Sequence, residues 1–411
     1  MTQTGIDLVR VVVNARAVAR DAAYTADSEK ALPAAGFEAA YREIASWPGY
    51  IPTPLIDLPG LARELGYAQI LYKEERHRFG LNSFKALGGA YAVMRVLAKE
   101  LAKRGVSEAV TSKDLASGRW RELTSKITVA SATDGNHGRS VAWGARMFGC
   151  RCVIFIHAAV SEARGQAIAA YGAEVIRVGG GYDDSVRHTF AEADRHGWFV
   201  VQDTGTDTYQ EVPRDITSGY GVIGREVLAQ AAKPPTHVFA QAGVGGLASC
   251  VLATLWLGLP QRPLFTVLEP TRADCVYQSL ARGERTDVTI TDETVMAGLS
   301  CGEVSTLAWP VLRDGAAAAI AIDDTFALAG MRRFAKPVTG DHAIVAGECS
   351  GGALGALLAL KDRSDLRAAL QLDATSRVLL IGTEGDTDAT IYQEAVGMTA
   401  PQVLAQNGDR T

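Results

Sequence analysis

Short apolar runs alternating with helix-length segments set the rhythm of most of this chain. Apolar stretches at 127–132, 150–157, 174–178 and 199–203 are each separated by enough residues for a helix. Parallel strands are buried on both faces and read as continuous apolar runs, so this alternation predicts strands joined by crossover helices. A second series, at 237–241, 264–269, 317–322 and 378–382, repeats the pattern. Earlier in the chain, an extended entry at Ile51-Pro52-Thr53-Pro54-Leu55 leads to a strand at 70–74, and 89–104 carries helix formers at helical spacing. The polar stretch 105–126, with Ser112, Asp114, Ser117 and Gly118, reads as an inserted helix and loop without a core face. The expected fold class is α/β with two open parallel-sheet domains, a large one from 1–90 and 206–411 and a small one from 91–205.

Composition narrows the partners. With 411 residues, 47% hydrophobic and 21% charged, the chain can fill two cores, and its 42 glycines suit an enzyme rich in strand-to-helix turns. A net charge of −5 without any basic run argues against nucleic acid or an anionic membrane and for a small-molecule ligand. The opening residues, including Thr2, Gln3 and Asp7, show no basic segment followed by an apolar run, so no secretory leader is expected. The most apolar stretch, 237–260, is interrupted by Gly243, Gly245 and Gly246. That leaves roughly a dozen uninterrupted residues, short of the ~20 a membrane span needs. Cysteines at 150, 152, 250, 275, 301 and 349 form no Cys-x-x-Cys pair and no zinc spacing, which fits reduced thiols in a cytoplasm and no metal site. The spacing leaves a Cys275–Cys301 bridge open.

Four segments carry candidate chemistry. Lys85 stands between Phe84 and Ala86-Leu87, ahead of Gly88-Gly89-Ala90. A lysine in such apolar company loses its charge more easily, and a neutral amine condenses with an aldehyde, which suggests pyridoxal phosphate; a lysine snorkelling from an apolar face has the same local pattern. Thr133-Asp134-Gly135-Asn136-His137-Gly138 ends a strand and opens a helix, so it either caps that helix or presents N–H groups and the Asn136 amide to a ligand. Gly243-Val244-Gly245-Gly246-Leu247 follows a strand and suits a phosphate held on backbone N–H groups. A nicotinamide-binding fingerprint competes there, with Glu269 as its acidic residue and Ala248 or Ser249 in place of the third glycine. Finally, the apolar run before Gly382-Thr383-Glu384-Gly385-Asp386-Thr387-Asp388 ends in polar turn residues, and Thr383 offers a neutral hydroxyl.

The order of these pieces resembles the fold-type II pyridoxal-phosphate enzymes, of the tryptophan synthase β kind, along nearly the whole chain. The resemblance implies two α/β domains with pyridoxal 5'-phosphate in the cleft between them. It implies that Lys85 carries the cofactor as a Schiff base beside Phe84, that Asn136 meets the ring hydroxyl, that Gly243, Val244, Gly245, Gly246 and Leu247 hold the phosphate, and that Thr383 bonds the ring nitrogen. Serine and threonine dehydratases of the family carry a serine where this chain has Asp134. With Lys73-Glu74-Glu75, Gly80-Leu81-Asn82-Ser83-Phe84-Lys85 and the 383–388 segment, that change is similar to the diaminopropionate ammonia-lyases of the family, in which a second aspartate matches Asp203.

On that resemblance the expected reaction is loss of ammonia from D- and L-2,3-diaminopropionate, giving pyruvate and two ammonia, in a cytoplasmic homodimer. An amine leaves only when protonated, so the site needs an acid as well as a base, and Asp134 and Asp203 are the candidates. Burial is expected to raise the pKa of at least one of them. Thr133, Asp134, Gly135 and Tyr182 are the expected substrate contacts. A serine or threonine dehydratase is the alternative within the family; an oxidoreductase using Gly243-x-Gly245 and a cofactor-binding scaffold are the alternatives outside that reaction.

Overall fold

The computed structural model describes residues 8–408, so Thr2, Gln3 and Asp7, on which the leader argument rests, lie outside it. Its strands are β1 (Val9–Val13), β2 (Leu55–Asp57), β3 (Gln69–Glu74), β4 (Thr128–Ala132), β5 (Arg151–His157), β6 (Glu174–Val178), β7 (Phe199–Val200), β8 (His237–Gln241), β9 (Leu264–Pro270), β10 (Ala318–Ile322) and β11 (Arg377–Gly382). By internal packing the chain forms two units. One runs to Ala31, takes Thr53–Arg76 and resumes at Ile223; the other is Leu32–Pro52 with His77–Val222.

The first unit holds a seven-stranded sheet in the order β1-β10-β9-β8-β11-β3-β2. From β10 to β3 neighbouring strands are parallel. The edges are not: β1 and β2 pair antiparallel with β10 and β3. Neither edge strand is expected from the sequence, because β2 is only three residues long and β1 carries Arg10 in a run with only Val9 buried. Strands β8 and β10 are buried at every position, which is why they read as unbroken apolar runs. Ile70, Tyr72, Phe239, Leu268, Ile320 and Leu380 share a core with Leu354 and Leu357 of the helix Glu348–Ala359.

The second unit holds the sheet β6-β5-β4-β7, parallel throughout. Its limits differ from the expected 91–205. The helix Lys85–Lys103 belongs here because it lies against the helix Asn136–Phe148 at a distance only small residues permit. A Cβ on Gly144 would stand 2.7 Å from the Cα of Ala90, and one on Gly89 would stand 2.5 Å from the hydroxyl of Ser140. The 105–126 segment also departs from expectation. It forms short helices, Ser112–Ala116 and Arg121–Thr124, which bury Ser112, Leu115 and Thr124. No helix among the described residues is long and apolar enough to cross a membrane.

Candidate active site

In the second unit, the turn into the lysine helix is built from residues in the left-handed region: Phe79 (φ 51°), Gly80 (φ 71°) and Asn82 (φ 61°). Phe79 is held there by its ring, which lies 5.7 Å from that of Trp47 and 5.0 Å from that of Trp143. Lys85 then opens the helix. Its Nζ lies 5.4 Å from the centre of the Phe84 ring and 5.7 Å from that of Tyr220, so the apolar company expected of it is real. It also has a partner that its neighbours in sequence do not reveal. The Asp203 Oδ2 accepts a hydrogen bond from Nζ at 2.5 Å, with the two side chains 23% and 15% exposed.

That contact reverses the expected pKa of Asp203. Burial alone would raise it, but the charge of Lys85 and the hydrogen bond that Lys85 donates hold the carboxyl well below the usual carboxylate range. Lys85 therefore holds the shared proton. The imidazole of His137 faces the same carboxylate, with Nδ1 3.9 Å from Oδ2, while its Nε2 donates to the Val201 carbonyl at 2.8 Å. Burial lowers the His137 pKa, so the ring is neutral and its Nδ1 lone pair makes no hydrogen bond among the described residues. Gln202 anchors the carboxylate's segment: its Oε1 accepts from the N–H of Ala132 at 3.1 Å, and its Nε2 donates to the Tyr182 hydroxyl at 2.7 Å. Tyr182 is thus tied to the residue next to Asp203.

The loop after β4 divides its duties. The Thr133 hydroxyl accepts from the N–H of Gly135 at 2.9 Å and of Gly138 at 3.0 Å, so it satisfies N–H groups at the start of the following helix, whose N-cap position is Gly135. Asp134 leaves its side chain 37% exposed and bonds His157 Nε2 through Oδ1 at 2.7 Å. Gly135 stands at φ 151°, with the Arg164 side chain against it. The Asn136 amide makes no hydrogen bond among the described residues. Strands β4 and β7 are neighbours, so Asp134 and Asp203 emerge from adjacent strand ends.

In the first unit, β8 and β11 are neighbours with Leu380 opposite Phe239. The 243–247 loop and Thr383 therefore leave the sheet at the same level. Gln241 joins these ends by donating through Nε2 to the carbonyls of Cys349 and Ile381, both at 2.8 Å. Gly245, at φ 93°, precedes the helix Gly246–Gly258, whose first turn has no side-chain cap. A Cβ on Gly243 would stand 3.0 Å from the Cys301 sulfur, and one on Gly245 2.9 Å from Leu312. Only a bare backbone fits, and its uncapped N–H groups suit an anion.

Thr383 is buried, and its Oγ1 lies 3.2 Å from the Ser350 hydroxyl. Ser350 accepts from the Glu384 N–H at 2.8 Å, donates to the Glu384 carbonyl at 2.7 Å, and offers its own N–H to Glu384 Oε1 at 2.9 Å. Burial first, then the charge of Glu348, lifts the Glu384 pKa to about 7 against the pull of Thr383 and Ser350. Glu269 settles the dinucleotide alternative. It is fully buried and accepts the N–H groups of Val276 at 2.8 Å and Tyr277 at 2.7 Å, so its carboxyl caps a helix and is spent there. All six cysteines stand as thiols.

His137, His157, Ser350 and Glu384 are the partners that sequence reasoning misses. His137 and Glu384 adjoin chosen motif residues and are visible on that ground alone; His157 and Ser350 give no local signal.

Comparison with known proteins accounts for this set of groups. The pyridoxal-phosphate dependent enzyme family model matches residues 46–384. The diaminopropionate ammonia-lyase of Escherichia coli (strain K12) is 41% identical over 85% of this chain and 88% of its own length. That of Salmonella typhimurium (strain LT2) is 39% identical over 85% and 89%. The crystal structure of the holo diaminopropionate ammonia-lyase from Escherichia coli superimposes with a TM-score of 0.86 at 37% identity, covering 94% of this chain and 96% of that one. With its fold and most of its length matched, the chain belongs to the family of pyridoxal-phosphate dependent enzymes.

Proposed function

We propose that this protein is a diaminopropionate ammonia-lyase that converts 2,3-diaminopropionate and water to pyruvate and two ammonia, accepting both the D and the L isomer. The observation that carries the reading is an amine and a carboxylate in contact, Lys85 and Asp203, with a second carboxylate, Asp134, at the neighbouring strand end. The naming of the 41%- and 39%-identical relatives supports it.

The residues fit the cofactor. Lys85 holds it covalently, Phe84 packs beside that lysine, the uncapped N–H groups of 243–247 receive its phosphate, Asn136 its ring hydroxyl and Thr383 its ring nitrogen. When bound, pyridoxal 5'-phosphate supplies an electron-withdrawing conjugated system that makes the substrate's α-proton removable. Lys85, released by the incoming substrate as a neutral amine, takes that proton from one enantiomer and Asp134 takes it from the other. Asp203, ionised in its contact with Lys85, receives a proton from the amine and returns it to the departing β-nitrogen, which leaves as ammonia. Thr383 brings no charge to the ring nitrogen, which favours prompt loss of the β-substituent over return of a proton to Cα. The unsaturated amine that remains hydrolyses to pyruvate and the second ammonia. Thr133, Gly135 and Tyr182 line the substrate beside Asp134.

The enzyme works in the cytoplasm as a homodimer on a small amino acid, without nucleic acid, membrane or metal; the charge of −5 supports the exclusion of nucleic acid and anionic membrane. The test is ammonia and pyruvate release from each enantiomer, and from serine and threonine, with wild type, Lys85→Ala, Asp134→Asn and Asp203→Asn. Diaminopropionate should be the preferred substrate, Lys85→Ala inactive and Asp134→Asn selective in its damage. Faster turnover of serine or threonine would make the protein a dehydratase, and equal loss of both isomers in Asp134→Asn would remove the face assignment.

A further inference from the structure

We propose that His157 is the positioning residue for Asp134: it grips one carboxylate oxygen and leaves the other to meet the substrate's α-proton. This rests on the reading of Asp134 as the base for one enantiomer.

The pair is a product of strand register. Ala132 lies opposite Phe155 in the β4–β5 ladder, and the Thr133 N–H continues that ladder to the Phe155 carbonyl at 3.1 Å. Asp134 and His157 each lie two residues further on, so both side chains leave the strand ends together. The 2.7 Å contact joins Nε2 to Oδ1. An ionised carboxylate only accepts, so Nε2 carries the proton. The imidazole is the more enclosed partner, at 16% exposure against 37%, and Oδ2 makes no hydrogen bond among the described residues.

Charges from neighbouring elements bear on the imidazole. Arg164 donates to the Asp134 carbonyl at 3.4 Å, and Arg177 donates to the His157 carbonyl at 3.2 Å while pairing with Glu162. These arginines oppose a second proton on the ring and Asp134 favours it. An imidazole ordinarily titrates near ~6.5, inside the working range of most enzymes. Turnover that depends on Asp134 therefore depends on the hold of His157, and turnover that does not depend on Asp134 is far less sensitive to it.

The experiment compares His157→Gln, which keeps an N–H donor but does not titrate, with His157→Phe, which has neither property, on both enantiomers of diaminopropionate using cofactor-loaded enzyme. His157→Phe should lower kcat/KM for the Asp134-dependent enantiomer roughly 10- to 100-fold, more than for the other isomer, and His157→Gln should recover part of it. Independently of activity, NMR of 13C-histidine-labelled protein should show the His157 pKa falling by about one unit in Asp134→Asn. An unchanged rate in His157→Phe, an equal loss for both isomers, or an imidazole pKa indifferent to Asp134→Asn would each overturn the proposal. If Asp134→Asn spares both isomers yet shifts the imidazole pKa, the pair is real but Asp134 is not a base, and the premise fails instead.

Discussion

An ammonium held 2.5 Å from a carboxylate in a largely enclosed site makes each group's protonation depend on the other. Asp203 is ionised because Lys85 is charged, and burial acts against it. Replacing Lys85 by Met should leave burial dominant and lift the Asp203 carboxyl above the usual range, which infrared titration of the 13C-labelled carboxyl would detect; a carboxyl still titrating below ~3.9 would mean that Lys85 is not what lowers it. Asp203→Asn should cut ammonia release from both isomers by about 10²- to 10⁴-fold, because the proton carrier is lost for both. Glu269 presents the opposite case. Burial raises its pKa from 4.5 to about 8 despite two N–H donors. Between those values the unfolded chain is ionised while the folded one keeps its proton, so this residue's contribution to stability is full below 4.5 and is lost as pH climbs through 8. The slope is at most about 1.4 kcal/mol per pH unit. Glu269→Gln copies the protonated form, so urea denaturation of this variant between pH 5 and 9 should be flatter than wild type; parallel curves would count against the assignment.

At the scale of elements, glycines set the distances that bring the chemistry into place. A side chain at 144 would collide with the backbone of Ala90 on the lysine helix, so Gly144→Val should cost about 1–3 kcal/mol in denaturation and disturb Lys85 with it. The buried parallel strands are legible in sequence because burial on both faces writes an unbroken apolar run, as in β8 and β10. The edge strands β1 and β2 are not, since each is defined by an antiparallel partner that no local pattern reveals; β1 pairs with Ala318–Ile322, some three hundred residues away. The same limit governs the site. Lys85 and Asp134 stand out through the motifs around them and Asp203 only through the family resemblance, but the 2.5 Å contact between 85 and 203 and the 2.7 Å contact between 134 and 157 come from sheet order and register. Sequence thus names the titrating groups and leaves their protonation states to the fold.

Neither unit is a continuous piece of chain. Leu32–Pro52 belongs with His77–Val222, and Trp47 shows why: its ring lies 5.7 Å from Phe79 and 5.8 Å from Phe148, filling a core whose other walls come later in the sequence. A tryptophan that packs this way carries no mark of its destination, which is why 1–90 reads as one piece of a single domain. The residues proposed to hold the cofactor are also divided, with Lys85 and Asn136 in one unit and the 243–247 loop and Thr383 in the other. A ligand that binds only the folded chain stabilises it by mass action, by about 4 kcal/mol at a thousand times its dissociation constant. Stripping pyridoxal 5'-phosphate with hydroxylamine should therefore lower the thermal midpoint, and adding it back should restore it. Lys85→Ala should keep part of the increment through the phosphate cradle. Gly245→Ala, strained at φ 93° and crowded by Leu312, should keep part of it through the covalent link. If Lys85→Ala gains as much as wild type, that lysine does not hold the cofactor; if Gly245→Ala does, the phosphate lies elsewhere.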